Sequence, residues 1–153
     1  MREIIQVISA FLGSGGFAMV FNVRVNLIFY ASLGGGLGWV IFLLIEKITH
    51  NYFIACFVAS AFCALYGEIM ARIKKTPASV FFIPSVVPLI PGGALFYTMS
   101  YTVRSDFSKF SEYSSLTVQY ALGIACGISL TWAVWYMCQK FITDIIIKKR
   151  ADK

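Results

Sequence analysis

The residues with the most chemical potential lie in one apolar stretch that prolines and glycines interrupt. Residues 84–93 read PSVVPLIPGG and lie inside an apolar run over residues 79–103. Proline has no N–H and crowds the carbonyl four residues earlier, so the carbonyls of Val80, Pro84 and Val87 lose their helical partners. In a bilayer such groups need a protein partner or a water-filled cavity. We therefore predict a broken membrane helix with a substrate site at the break.

Five residues of the break are the candidate substrate-binding residues: Pro88, Pro91, Gly92, Gly93 and Tyr97. The glycines are expected to let the backbone turn sharply or approach another group closely. A second half-helix is predicted to start near Ala94, and a helix N-terminus attracts anions. The expected ligand is therefore a small metabolite that carries a carboxylate. The alternative is a proline kink that only shapes packing, because Pro and Gly are common in membrane helices.

Three polar residues in the other apolar blocks are further candidates. Glu68 either pairs with Arg72 one helical turn later or carries a proton or cation. Arg24 either contacts an anionic substrate or anchors at the lipid headgroups. Asn22 is an amide within an apolar block and needs a partner, which a substrate or unwound backbone would supply. The GSGG run over residues 13–16 permits close helix contact or local unwinding.

No catalytic, metal-binding or nucleotide-binding pattern accompanies these residues. The sequence has no HExxH, GxSxG or GxxxxGK[ST] motif, so we expect neither an enzyme nor a cofactor. The cysteines lie in apolar blocks without a CxxC pair, which is typical of packing residues: Cys56, Cys63, Cys126 and Cys138. The basic residues, which give a net charge of +6, lie between and after the apolar blocks, so we expect no nucleic-acid partner.

The elements that must position the candidate residues are membrane helices. The chain is 59% hydrophobic and 13% charged, with a mean hydropathy of +0.78. Its apolar blocks are near the ~20 residues of a spanning helix and cover about 4–23, 27–45, 52–70, 79–103 and 116–142. The predicted fold class is all-α, a polytopic membrane helical bundle of about five segments whose fourth segment is broken. We predict a single transmembrane domain over residues 1–153, surrounded by the lipid bilayer.

The basic residues predict the orientation in the cell (inner) membrane. With the N-terminus outside and the C-terminus in the cytoplasm, the larger basic set lies inside, as the positive-inside rule requires. The cytoplasmic set is Arg24, Arg72, Lys74, Lys75, Lys148, Lys149, Arg150 and Lys153, against Arg2, Lys47, Arg104 and Lys109 outside. The polar stretch over residues 104–115 is predicted to be an outer loop whose last serines cap the final helix.

Small residues recur at a spacing of four and predict close helix approach: Gly34/Gly38, Ala55/Ala59 and Gly123/Gly127. These faces fit a compact bundle, another subunit, or both. Five spans without an internal repeat are few for a complete transporter. We therefore expect the chain to assemble with copies of itself or with a larger partner.

Two motifs resemble the threonine/serine exporter family: GFAMVFNV over residues 16–23 and PLIPG over residues 88–92. The similarity covers nearly the whole chain. More narrowly, the chain is similar to the small membrane subunit that matches the C-terminal half of one-chain exporters. Further matching positions are Ala71-Arg72, Pro77 and Tyr97. The chain departs from the family pattern at Arg24, where proline is expected, and at Asn26, where arginine is frequent.

The resemblance implies a larger membrane subunit as the partner and secondary export by proton-driven antiport. The implied cargo is threonine or serine, or a dicarboxylate such as succinate in split two-subunit members. The predicted function is therefore a membrane subunit of a secondary exporter for small carboxylate-bearing metabolites. The alternative is a non-transporting assembly or stabilising subunit, with the site wholly in the partner. A membrane enzyme is a third class, for which the sequence shows no catalytic set.

Overall fold

The chain is a bundle of helices, as its composition predicts. A computed structural model describes the backbone of residues 1–151 and the side chains of residues 1–141. The helices are α1 (Arg2–Val20), α2 (Val25–Thr49), α3 (Tyr52–Lys74), α4 (Ser79–Val86), a 3-10 turn (Val87–Leu89), α5 (Gly92–Val103) and α6 (Phe107–Ala151). The described backbone contains no strand, which confirms the all-α fold class. The predicted basic cluster of Lys148, Lys149, Arg150 and Lys153 lies outside the described side chains.

The described helices match the predicted number of about five membrane segments when the bent pair is counted as one span. α1, α2, α3 and the 107–141 part of α6 are each long and apolar enough to span a bilayer. The segments Ser79–Leu89 and Gly92–Val103 pass the same test together and are bent by 49°. The part of the chain that the structure describes therefore has four continuous candidate spans and one bent helix pair, which lies at the position of the predicted broken fourth segment.

Polar and left-handed residues end the helices and allow the tight turns between them. His50 and Lys75 take positive φ angles of 48° and 52° directly after α2 and α3. The side chain of Asn51 accepts hydrogen bonds from the N–H groups of Phe53 and Ile54 and so caps α3. The connections over residues 21–24 and 50–51 are short, so that α1, α2 and α3 are antiparallel neighbours.

The start of α6 corrects the prediction of an outer loop over residues 104–115. The connection is short, and α6 begins at Phe107 because Asp106 accepts a hydrogen bond from the Lys109 N–H at 3.3 Å. Tyr120 of α6 stacks on Tyr52, the first residue of α3, with ring centroids 5.4 Å apart. Residues 107–119 therefore continue past the start of α3, by about 20 Å at the α-helical rise.

Small residues bring the helices into backbone contact, which confirms the predicted close approach. A Cβ added at Gly38 would lie 2.6 Å from Cys63 Sγ of α3. One added at Gly123 of α6 would lie 2.6 Å from the Phe53 carbonyl oxygen. Ala55 and Ala59 are fully buried in the same core. α3 therefore packs between α2 and α6 with little side-chain volume separating them.

Charged residues mark the two ends of the bundle. Lys47 near the end of α2 forms an ion pair with Glu3 at the start of α1, at 2.6 Å. At the opposite end, the Lys74 ammonium lies 3.9 Å from the ring centroid of Tyr30. Arg72 lies over the Trp135 ring of α6 at 4.9 Å. α5 stands apart from this bundle, because it packs chiefly against α6 and none of its residues is buried within the described chain.

Candidate functional site

The break between α4 and α5 is made by a short 3-10 turn followed by two non-helical residues. Ile90 is extended, with φ −64° and ψ 125°, and Pro91 has φ −78° and ψ 57°. The Ile90 N–H donates to the Val87 carbonyl at 3.1 Å, and the Gly92 N–H donates to the Ile90 carbonyl at 2.8 Å. α5 begins at Gly92, close to the predicted start at Ala94.

The glycines of the break do not form the turn between α4 and α5. Gly92 and Gly93 are the first residues of α5 and neither has a positive φ. A Cβ added at either position would meet nothing within 4 Å. The sharp glycine turn is therefore not formed, because Ile90 and Pro91 already turn the chain, and within the described residues neither glycine lies close to another protein group. Close approach of a ligand to these glycines stays a prediction.

Side chains from neighbouring helices satisfy carbonyls beside the break. The Ser14 hydroxyl of α1 donates to the Pro84 carbonyl at 2.6 Å, and both residues are buried. Pro84 is one of the residues whose carbonyl loses its helical partner, here to Pro88. The Cys63 thiol of α3 donates to the Ser85 carbonyl at 3.5 Å. Protein groups thus supply hydrogen bonds that lipid cannot offer at this depth.

A cavity of about 340 Å³ opens beside the break. The predicted binding residues Pro88, Pro91, Gly92, Gly93 and Tyr97 all line it. Trp39 of α2 and Tyr113 and Tyr120 of α6 add aromatic walls. We call this space the break cavity; its volume is that of a small-molecule site.

The start of α5 gives the break cavity an anion-attracting wall. The Leu95 N–H bonds to the Pro91 carbonyl at 3.0 Å. The N–H groups of Gly93 and Ala94 have no hydrogen-bond acceptor within the described residues. Unpaired N–H groups and the aligned peptide dipoles favour a negative charge at this helix end. None of the described residues that line the cavity is acidic, so nothing there opposes an anion.

A cluster of tyrosines borders the break cavity where α5 packs on α6. The ring centroid of Tyr113 lies 5.2 Å from that of Tyr97 and 5.5 Å from that of Tyr101. The Lys109 ammonium lies 5.2 Å from the Tyr101 ring centroid and 3.9 Å from an Asp106 carboxylate oxygen. Lys109 lies one helical turn before Tyr113 on α6, and the Asp106 carboxylate offsets its charge.

A family model described as "Threonine/Serine exporter, ThrE" matches residues 6–134. The match includes α2 to α5 and the whole break cavity. The chain belongs to the threonine/serine exporter family. This confirms the resemblance read from the sequence motifs. No solved structure matches the chain.

Three residues predicted to take part in the exporter site lie away from the break cavity. Asn22 occupies the turn after α1 with φ 55°, a conformation that asparagine tolerates, and its side chain is exposed. Arg24 is exposed at the start of α2. Glu68 on α3 is half-buried and forms no ion pair with Arg72 among the described residues. Of the two alternatives for Glu68, the ion pair with Arg72 is therefore not formed, because Arg72 lies over the Trp135 ring instead.

Sequence reasoning did not predict that Ser14 contacts the break or that Trp39 lines its cavity. The GSGG run predicted either close helix contact or local unwinding. α1 is continuous, and the close helix contact is present. A Cβ added at Gly15 would lie 2.6 Å from Ser32 Oγ, and Ser14 reaches the broken segment. A lone serine between glycines on a membrane helix was the available signal for Ser14. Trp39 carried no local signal within its apolar block.

Proposed function

We propose that this chain is a membrane subunit of a secondary exporter and that the break cavity binds its cargo. The supporting observation is the start of α5, where the Gly93 and Ala94 N–H groups have no acceptor among the described residues and the described cavity wall holds no acidic residue. Such a wall suits a carboxylate. The proposed cargo is threonine or serine, or a dicarboxylate such as succinate.

A larger membrane subunit is the proposed partner. α5 carries exposed apolar side chains and packs chiefly on α6: Leu95, Phe96, Met99 and Val103. A partner helix on this face would bury them and close the outer side of the break cavity. Copies of this chain could cover the same face, and the size of the purified complex separates these two assemblies.

The proposed setting is the cell (inner) membrane, with the N-terminus outside and the C-terminus in the cytoplasm. Arg24 and Lys74 lie at the same end of the bundle, because Lys74 contacts Tyr30 in the second turn of α2. The positive-inside rule places that end in the cytoplasm. Glu68, half-buried and without an ion pair in the described chain, is the proposed proton-coupling residue.

The test is a bulky substitution in the break cavity that the fold tolerates. Gly93→Leu adds a side chain to the cavity wall, and Gly16→Leu on α1 is the matched control, since an added Cβ meets nothing within 4 Å at either position. The exporter is purified with any co-purifying subunit, and counterflow of labelled serine, threonine and succinate is measured in proteoliposomes.

We expect the Gly93→Leu complex to assemble but to lose counterflow, because the new side chain occupies the space of the cargo. Gly16→Leu is expected to transport at the wild-type rate. If the Gly93→Leu complex assembles and exports normally, the cargo site lies elsewhere. That result would favour the non-transporting, stabilising role, with the site wholly in the partner.

A further inference from the structure

The ion pair between Glu3 and Lys47 lies at one end of a groove between α1 and α2. The Lys47 ammonium lies 2.6 Å from a Glu3 carboxylate oxygen, and both side chains are about half exposed. Glu3 is in the first turn of α1 and Lys47 is in the last turn of α2, so the pair lies where two candidate spans reach a membrane surface. Both residues line a cavity of about 290 Å³ whose other walls are apolar.

A second cavity of about 290 Å³ extends this groove deeper along the two helices. The two cavities share Val7 and Ile8 of α1 and Val40 of α2, so they form one continuous space, which we call the α1–α2 groove. Its remaining walls are apolar side chains and one glycine: Ile4, Phe11, Leu12, Leu33, Gly36, Leu37, Leu43 and Leu44. Among the described residues of its walls, Glu3 and Lys47 alone are polar, and both lie at the same end.

The length of the α1–α2 groove matches one leaflet of a bilayer. Its wall on α2 extends from Lys47 to Leu33, a distance of about 21 Å at the α-helical rise. One leaflet with its headgroup region is about 20–22 Å thick. An acyl chain whose headgroup lies at the ion pair can therefore occupy the groove over its whole length.

The ion pair presents both signs of charge to a headgroup. An ammonium has three N–H donors and a carboxylate has about four acceptor positions, so the contact between Lys47 and Glu3 leaves donors and acceptors free on both groups. A phosphate suits the Lys47 ammonium, and a primary ammonium suits the Glu3 carboxylate. A headgroup that carries a phosphate without an ammonium would place a like charge beside Glu3. The pair therefore favours a zwitterionic headgroup whose ammonium can donate hydrogen bonds.

We propose that the α1–α2 groove binds one molecule of phosphatidylethanolamine, with the phosphate at Lys47, the ammonium at Glu3 and one acyl chain between the helices. Lipid surrounds any membrane protein, but here a charge-complementary pair and an apolar groove of matching length lie on the same two helices. The site is separate from the break cavity, because the two share no wall residue among those described. The proposal therefore does not depend on where the cargo binds.

The first experiment locates the lipid with a phosphatidylethanolamine that carries a photo-reactive diazirine in one acyl chain. The exporter is purified with any co-purifying subunit and reconstituted in phosphatidylcholine vesicles that contain a small fraction of this probe. Mass spectrometry identifies the cross-linked residues, which we expect to concentrate on the groove walls. An equal spread over the groove and the exposed apolar residues of α6, such as Leu130 and Val134, would overturn the proposal, as would an absence of cross-links in the groove.

The second experiment tests the headgroup by competition with unreactive lipids that have identical acyl chains. We expect phosphatidylethanolamine to displace the probe about tenfold more strongly than phosphatidylcholine, whose quaternary ammonium donates no hydrogen bond; tenfold is the value of one hydrogen bond to a charged group. Glu3→Gln should remove most of this preference, and Lys47→Gln should weaken both lipids. Lys109→Gln is the matched control, because the ion pair of Lys109 with Asp106 borders no part of the groove. Equal competition by the two lipids in the wild type would overturn the proposal.

The third experiment fills the groove and leaves the ion pair in place. Val40→Trp puts a bulky side chain where the two cavities meet, and Val134→Trp on the exposed face of α6 is the matched control. Size-exclusion chromatography checks that both complexes assemble. We expect Val40→Trp to lose the groove cross-links and Val134→Trp to keep them. Cross-links at the wild-type level in an assembled Val40→Trp complex would overturn the proposal, and the charge variants test it independently of this substitution.

Discussion

Removing the Ser14 hydroxyl should lower the free energy of unfolding by more than the loss of one small side-chain group would suggest. Ser14→Ala deletes the hydrogen bond of 2.6 Å to the Pro84 carbonyl, and Pro88 has no N–H to replace it. A buried acceptor that loses its partner costs about 1–3 kcal/mol. The folded-to-unfolded ratio should therefore fall about 5- to 150-fold.

Ser60→Ala is the matched control for this prediction. Ser14 and Ser60 are both fully buried, but the Ser60 hydroxyl donates to the Phe57 carbonyl at 3.1 Å within α3. That carbonyl keeps its own helical N–H donor when the hydroxyl is removed. The free energy of unfolding should therefore fall by less than about 1 kcal/mol in Ser60→Ala.

The assay is the free energy of unfolding from denaturant titration of the purified protein in mixed micelles. The expected order of stability is wild type, Ser60→Ala, Ser14→Ala. Equal free energies for Ser14→Ala and Ser60→Ala would refute the reasoning, because they would show that the Pro84 carbonyl finds another donor or never needed one.

Three further predictions concern packing, capping and orientation. Gly35→Ala should destabilise the protein by about 1–3 kcal/mol, since its Cβ overlaps Ser14 Oγ, whereas Gly92→Ala should be neutral or stabilising in the same titration. Asp106→Ala should lower the free energy of unfolding by about 0.5–2 kcal/mol, because α6 loses its cap, and should speed amide exchange at the start of α6. Asp106→Asn keeps a capping oxygen and should have neither effect. In intact cells, an impermeant maleimide should label Ser105→Cys but reach Lys75→Cys only after lysis; the opposite pattern would reverse the proposed orientation.

The break was predictable from sequence because its cause is local. Proline chemistry alone predicts lost hydrogen bonds at residues 84–91, and the structure shows a 49° bend there. The partner of the Pro84 carbonyl was not predictable, since Ser14 lies 70 residues away in sequence. A single sequence indicates which groups need partners, but tertiary packing decides which side chains provide them.

The failed predictions share a physical origin. Residues 104–115 were interpreted as a loop from their polarity, but from Phe107 onwards this polar segment belongs to α6 and continues beyond the start of α3. The polarity of a segment indicates whether it lies inside the bilayer, but it does not show whether the segment is helical. The spacing of Glu68 and Arg72 allowed an ion pair as one of two alternatives, and the guanidinium lies over the Trp135 ring of α6 instead.

The most direct test of the central claim asks whether cargo occupies the break cavity. Gly93→Cys is placed in the reconstituted exporter after the exposed native cysteines, Cys126 and Cys138, are replaced by alanine. Its alkylation rate is measured with and without serine, threonine and succinate, and Ser105→Cys serves as a control outside the cavity. The proposal predicts that the transported compound slows alkylation at Gly93→Cys saturably and leaves Ser105→Cys unaffected. An unchanged rate at Gly93→Cys in an exporter that transports the compound would contradict it.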